Sequence, residues 1–177
     1  NFMIRHGRGL VCVAMTDERL DELNIPLMVE NNTARYGTAF CVSVEAKHKV
    51  STGISAADRA ATVLALVDPK TRPGDLARPG HMFPLRAQKG GVLRRAGQTE
   101  AAVDLARLAG LREAGVLIEV LNADGSPARL PELRVFAKKH GLRLSSIAAL
   151  IEYRRRSERL VEREQVVQLP TEWGDFQ

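Results

Sequence analysis

A chain of 177 residues, 45% hydrophobic but only 5% aromatic, can bury one sizeable core and is too short for two full domains. Its net charge of +5 and pI near 9.6 suit an anionic partner, whether nucleic acid, a membrane surface or a small phosphate, and charge alone does not choose among them. No apolar run approaches the ~20 residues of a membrane-spanning helix and no signal peptide opens the sequence, so the expectation is a soluble, cytoplasmic protein that does not engage a membrane.

The opening Asn-Phe-Met-Ile-Arg-His enters an apolar-polar pattern at once, as though an earlier element preceded it, which suggests a fragment. Gly9 to Met15 is a short apolar run closed by Thr16 and Asp17, and reads as a buried strand. Thr16 or Asp17 then caps a helix through Arg19, Leu20 and Leu23. Thr38 to Glu45 alternates, with Phe40, Val42 and Val44 on one face of a half-buried strand. Cys12 and Cys41 sit in apolar stretches without metal-ligand spacing and are expected as reduced core thiols.

Ser55 and Asp58 offer a capping pair, and Ala60, Val63, Leu64 and Val67 follow at helical spacing, up to Pro69. Asp68 to Gly80 holds three prolines and two glycines and is expected as a loop. Thr99 to Gly110 is the clearest helix, with Val103, Leu105, Leu108 and Ala109 for the core. Val116 to Leu121 is a strand, Asp124-Gly125 a turn, and Pro131 to His140 and Ser146 to Arg156 are two further helices. From Arg154 to Glu164 the charges alternate in sign, as in a solvated helical tail that leads to a linker. Strands and helices mix without strict alternation or repeat, so the class is α/β or α+β.

Four places could carry chemistry. His81 lies in a proline-bounded stretch, Arg78-Pro-Gly-His-Met-Phe-Pro-Leu-Arg, expected as a rigid loop that could mount a general base; a surface histidine is the plainer reading. Gly90 to Glu100 sets two arginines and a glycine before a helix, where Arg95 and Thr99 could add donors to a phosphate cradle or simply begin a capped helix. Val50 to Arg59 is a hydroxyl-rich turn whose Ser55 and Asp58 a capping box would want anyway. Glu119, within an apolar run, is an acid or base if it faces a cleft and an edge residue if it faces water.

Taken in order, His-Gly-Arg-Gly-Leu-Val-Cys (6–12), Pro-Leu-Met-Val-Glu-Asn-Asn (26–32), Thr-Gly-Ile-Ser-Ala-Ala-Asp-Arg (52–59), the segment 78–86 and Gly-Gly-Val-Leu-Arg-Arg-Ala-Gly-Gln-Thr-Glu (90–100) resemble 3,4-dihydroxy-2-butanone 4-phosphate synthase, from Asn1 to about Tyr153. The resemblance implies a compact single-domain α/β fold with a mixed sheet and flanking helices, a homodimer with active sites at its interface, and magnesium or manganese as cofactor. It implies conversion of D-ribulose 5-phosphate to L-3,4-dihydroxy-2-butanone 4-phosphate and formate in riboflavin biosynthesis. His81 and Glu119 match its proton-transfer residues. Arg95, Ala96, Gly97, Gln98 and Thr99 match its substrate-phosphate loop, and Cys12 and Thr52 positions that line the pocket.

Two departures stand out. Where the family carries a histidine that binds metal, this chain has Gln98, a neutral and weaker ligand for a hard cation. The family's acidic loop, which supplies the other metal ligand, falls before Asn1. An alternative reading follows, a catalytically impaired domain that serves as structural partner. Residues 167–176 resemble the opening of GTP cyclohydrolase II, which places a synthase domain at 1–156, a linker and the start of a second domain at 157–177, and a fused cyclohydrolase in the parent protein. A nucleic-acid-binding module is disfavoured, since the aromatic residues that stack bases are scarce.

Overall fold

The computed structural model describes residues 1–162, 165 and 168–176. Four strands, β1 (Cys12–Met15), β2 (Val44–Ala46), β3 (Leu76–Arg86) and β4 (Ala114–Leu117), form one sheet in the order β2-β3-β1-β4. β1 runs parallel to β3 and antiparallel to β4, and β2 is antiparallel to β3, so the sheet is mixed. Helices α1 (Asp17–Glu22), α2 (Ala56–Val67), α3 (Gln98–Leu108), α4 (Leu130–His140) and α5 (Ile147–Ser157) flank it. The mixed α/β class expected from the sequence is the one observed.

β1 is apolar throughout because both of its faces are covered. Val11, Val13 and Met15 pack with Leu20 and Leu23 near α1, Leu66 of α2 and Met82 of β3. Ala14 faces the other way, onto Val103 of α3. A third cluster, Val92, Ala101 and Leu150, ties α3 to α5. The caps fall where local chemistry requires them: the Thr16 hydroxyl accepts from the Arg19 N–H, and that of Ser55 from the Asp58 N–H at 3.0 Å. Both cysteines are buried free thiols.

Several expectations need correction. The supposed loop over 68–80 ends at Leu76, and His81 lies on β3, not in a loop. The prolines are tolerated because the β2–β3 register breaks there: Val44 faces Met82, yet Glu45 faces Ala77, so 78–81 bulge outward and Pro79 owes the ladder no hydrogen bond. The strand over 38–45 contracts to β2, preceded by isolated bridges at Phe40 and Cys41, and its buried residues are Cys41 and Val44.

The faces of two helices also differ. α2 buries Asp58, Thr62 and Leu66, and leaves Leu64 67% exposed. α3 buries Thr99, Glu100, Ala101, Val103 and Asp104, and leaves Leu105 56% exposed. In both, buried polar side chains have found partners elsewhere in the chain, and that outweighs the apolar spacing. The strand over 116–121 is shorter than expected, so Glu119 lies just beyond β4, beside a bridge between Arg8 and Val120.

Arg154 is not solvated. It is a buried cation on α5, paired with Asp104 and Glu158. Of the expected tail, Arg163 and Glu164 lie outside the described residues, as do Val166 and Val167 of the segment likened to a second domain. Beyond them β5 (Leu169–Thr171) and β6 (Gly174–Phe176) form an antiparallel hairpin. No helix among the described residues is long and apolar enough to cross a membrane.

Candidate active site

The sheet brings the candidate residues to one of its ends. Cys12 pairs with Phe83 on one side and Leu117 on the other. His81 precedes Phe83 by two residues and Glu119 follows Leu117 by two, so both stand at the N-terminal end of β1, on opposite sides of it.

Glu119 is exposed, and its Oε1 accepts a hydrogen bond from Gln98 Nε2 at 3.0 Å. Its backbone crosses Gly9 so closely that a Cβ there would stand 2.4 Å from the Glu119 carbonyl oxygen. Cys12, 3% exposed, lies near this carboxylate; burial first, then the charge of Glu119, pushes its thiol up to about 11. At neutral pH Cys12 is therefore a neutral thiol and not a thiolate nucleophile.

His81 is bonded elsewhere. Its Nδ1 lies 2.5 Å from Oε2 of Glu45, a residue the sequence offered only as the end of an alternating strand. No periodicity could have joined two positions that the bulge brings together. Glu45 in turn lies against Gly53, at φ +90°, in the turn that carries the exposed Thr52. Asp58 fixes that turn by accepting from the Ser51 hydroxyl at 2.7 Å and from the backbone N–H groups of Ser51 and Gly53, and these bonds, led by Ser51, hold its carboxyl down to about 2.

The arginine-bearing turn is braced more firmly than a simple cradle. Arg95 Nη1 donates to Oε2 of the buried Glu100 at 2.7 Å and Nη2 to the Tyr36 carbonyl at 3.0 Å. Glu100 Oε1 also accepts from the Gln88 N–H at 3.0 Å. Gly97 is the N-cap of α3 and supplies no capping side chain, so N–H groups of the first turn are not occupied by one. Thr99, expected as a donor, is 3% exposed, which leaves Arg95 as the accessible cation of the expected phosphate loop.

Behind this turn, Asp104 accepts from the Val92 N–H at 2.8 Å and from Arg154 Nη1 at 2.8 Å, while Arg154 Nη1 also donates to the Gly90 carbonyl at 2.8 Å. The structure thus joins Gln98 to Glu119 and His81 to Glu45. The two expected proton-transfer residues share a sheet end, and each holds a different partner.

These residues do not by themselves make a magnesium or manganese site. Among the described residues no three His, Cys, Asp or Glu side chains converge. Gln98 donates its amide N–H to Glu119, which leaves one amide oxygen and one carboxylate as candidate ligands, so most of the roughly six oxygens at ~2.0–2.1 Å that magnesium requires would have to come from water, substrate or other residues.

The family model described as 3,4-dihydroxy-2-butanone 4-phosphate synthase matches residues 1–153. The chain is 58% identical over 178 residues to a riboflavin biosynthesis protein RibBA of Synechocystis sp., covering 99% of this chain and 32% of that protein. It is 55% identical over 177 residues to a 3,4-dihydroxy-2-butanone 4-phosphate synthase of Neisseria meningitidis serogroup B, covering 100% of this chain and 49% of that one. The chain therefore spans a third to a half of these relatives. Among solved structures it is similar to RibBX, a two-domain 3,4-dihydroxy-2-butanone 4-phosphate synthase from A. baumannii, with a TM-score of 0.92, 50% identity and coverage of 99% and 52% of the two chains. A second, a synthase in complex with two magnesium ions, gives a TM-score of 0.85 at 41% identity over 88% of this chain and 78% of that one.

Proposed function

Since the chain belongs to the 3,4-dihydroxy-2-butanone 4-phosphate synthase family, we propose that it is the lyase that converts D-ribulose 5-phosphate to L-3,4-dihydroxy-2-butanone 4-phosphate and formate in riboflavin biosynthesis. The observation that carries this reading is the placement of His81 and Glu119 on either side of Cys12 at one end of the sheet, with Gln98 linking Glu119 to the arginine-bearing turn.

Arg95 holds the substrate phosphate. Two of its donors are already committed to Glu100 and Tyr36, so the rest are fixed in direction and little side-chain freedom is lost on binding. His81 accepts the proton next to the substrate carbonyl at Nε2, since Nδ1 is occupied by Glu45. Glu119, exposed and held by one amide hydrogen bond, is placed to carry a proton back as the skeleton rearranges. The overall change needs no oxidant: one carbon leaves at the oxidation level of formate and the remaining four take up the balance of hydrogen. Cys12 and Thr52 complete the wall. The divalent cation implied by the family, magnesium or manganese, would need oxygen ligands beyond Gln98 and Glu119 and would supply charge stabilisation at adjacent substrate oxygens.

A homodimer belongs to the same proposal and is supported by an apolar cavity of about 390 Å³, lined by Phe2, Met3, Val63, Leu64 and Val116, on a surface that one subunit leaves open. A fused second domain, which we read as GTP cyclohydrolase II from the likeness of residues 167–176 to its opening, is supported by relatives named bifunctional riboflavin biosynthesis proteins, and a cytoplasmic setting by two buried free thiols. The test is formate release from D-ribulose 5-phosphate by the full-length protein with magnesium. Release that is lost in His81→Ala supports the reading; no release from the parent protein overturns it.

A further inference from the structure

We propose that Glu45 is the positioning residue of His81: its carboxylate fixes the imidazole in the Nδ1–H tautomer and leaves Nε2 free to take a proton. This rests on the synthase reading above, in which His81 is the base.

The two residues are not ladder partners. Glu45 opposes Ala77, four positions from His81, and only the bulge over 78–81 folds the imidazole back to a separation of 2.5 Å. Three further features hold the bulge and the carboxylate in place. Gly80 lies so close to β2 that a Cβ would stand 2.1 Å from the Val44 carbonyl carbon. The Gly80 N–H donates to the Ser43 hydroxyl at 3.2 Å. On the far side, Gly53 has φ +90°, and a Cβ there would stand 1.9 Å from the Glu45 carboxylate, so a larger residue would push that carboxylate out of its place. A chance surface ion pair needs none of this.

The exposures agree with the assigned roles. Glu45 is 16% exposed at its side chain and His81 is 44% exposed, so the carboxylate is the sheltered partner and the ring the accessible one. A carboxylate that accepts the Nδ1–H sets the tautomer and balances the charge when the ring becomes imidazolium. The proton arrives at Nε2 and departs from it; Glu45 stays ionised throughout.

The experiment is carried out on the full-length protein. ¹⁵N NMR of the His81 ring, at a pH where it is neutral, is expected to show the Nδ1–H tautomer in the parent and mainly Nε2–H in Glu45→Gln. In the same variant kcat for formate release should fall ~10–100-fold, with KM changed by less than about threefold. An Nε2–H ring in the parent protein overturns the proposal whether or not the variant folds, and so does an unchanged kcat in Glu45→Gln. If His81→Ala keeps full activity, the synthase reading of His81 fails instead, while the tautomer measurement still reports on the pair.

Discussion

Asp104 of α3 and Arg154 of α5 meet at 2.8 Å with side chains only 5% and 8% exposed, and through this contact the last helix grips the turn that leads to Arg95. The two residues lie 50 positions apart, and each binds backbone of that turn: Asp104 the Val92 N–H, Arg154 the Gly90 carbonyl.

Removing Asp104 takes away one of two carboxylates that neutralise Arg154 and the acceptor of the Val92 N–H in a poorly hydrated place. Asp104→Ala should lower unfolding free energy by about 1–3 kcal/mol, because it leaves the Val92 N–H without its acceptor and removes one of the two carboxylates on Arg154, which keeps Glu158 and the Gly90 carbonyl. Asp104→Asn keeps an acceptor and should lose less. Urea titration followed by circular dichroism measures both, and equal losses would contradict this account.

Arg95 should act on binding more than on turnover. Loss of a charge-assisted contact of about 1.5–3 kcal/mol predicts a rise in KM of roughly 10–150-fold for Arg95→Ala. Arg95→Lys should recover only part, since a lysine cannot satisfy Glu100, the Tyr36 carbonyl and a phosphate together. Steady-state formate release decides it.

For Glu119 the expectation is reversed. The side chain is exposed and bonded only to Gln98 among the described residues, so Glu119→Gln should change stability by less than about 0.5 kcal/mol. If it transfers a proton, kcat should fall by about 10²–10⁴-fold. A thermal melt beside a rate measurement separates the two effects.

Acid should loosen the α5 anchor. The Arg154 guanidinium, helped by Arg107, holds the Glu158 carboxyl down to about 2 from 4.5. The folded state therefore binds fewer protons than the unfolded one between those values. The stability this contributes is fully present above about pH 4.5 and is lost as pH falls toward 2. Melting temperatures across pH 2–6 should decline less steeply in Glu158→Gln than in the parent.

A second pH effect belongs to the N-terminal turn. The rings of His6 and His140 lie 4.6 Å apart between Phe2 and Phe136. Burial, then His140, Arg5, Lys139 and Arg8, lowers the pKa of His6 below 6.5. A lowered histidine favours the folded state above its unfolded value, and that contribution disappears as pH drops below about 6.5. Hydrogen exchange over residues 3–7 should quicken at pH 5 relative to pH 7.5, after correction for intrinsic rates, and His140→Phe should reduce the difference.

What was legible in the sequence was local. Thr16 and Ser55 cap their helices because the N–H they bind is three residues away, and β1 is apolar because both faces are covered. The packed faces of α2 and α3 were misread because apolar spacing favours Leu64 and Leu105, whereas the structure buries polar residues with distant partners. Thr62 bonds the Ala46 N–H, Glu100 bonds Arg95 and the Gln88 N–H, and Asp104 bonds Arg154. His81 was expected in a loop because prolines flank it, and a register break admits prolines into a strand. His81, Glu119, Arg95 and Thr99 stood out by their local chemistry and the family resemblance gave them roles, but neither pointed to Glu45: its link to His81 spans 36 positions and leaves no periodic trace.

The parallel pairing of β1 with β3 bears on how the chain comes off the ribosome. Cys12 has no partner until Phe83, roughly seventy residues later, has emerged, and its other neighbour, Leu117, appears later still. At about 5–20 residues per second, the most apolar strand of the nascent chain waits about 4–14 seconds with both edges open. Chaperone demand should therefore peak early in synthesis and ease once β3 can dock.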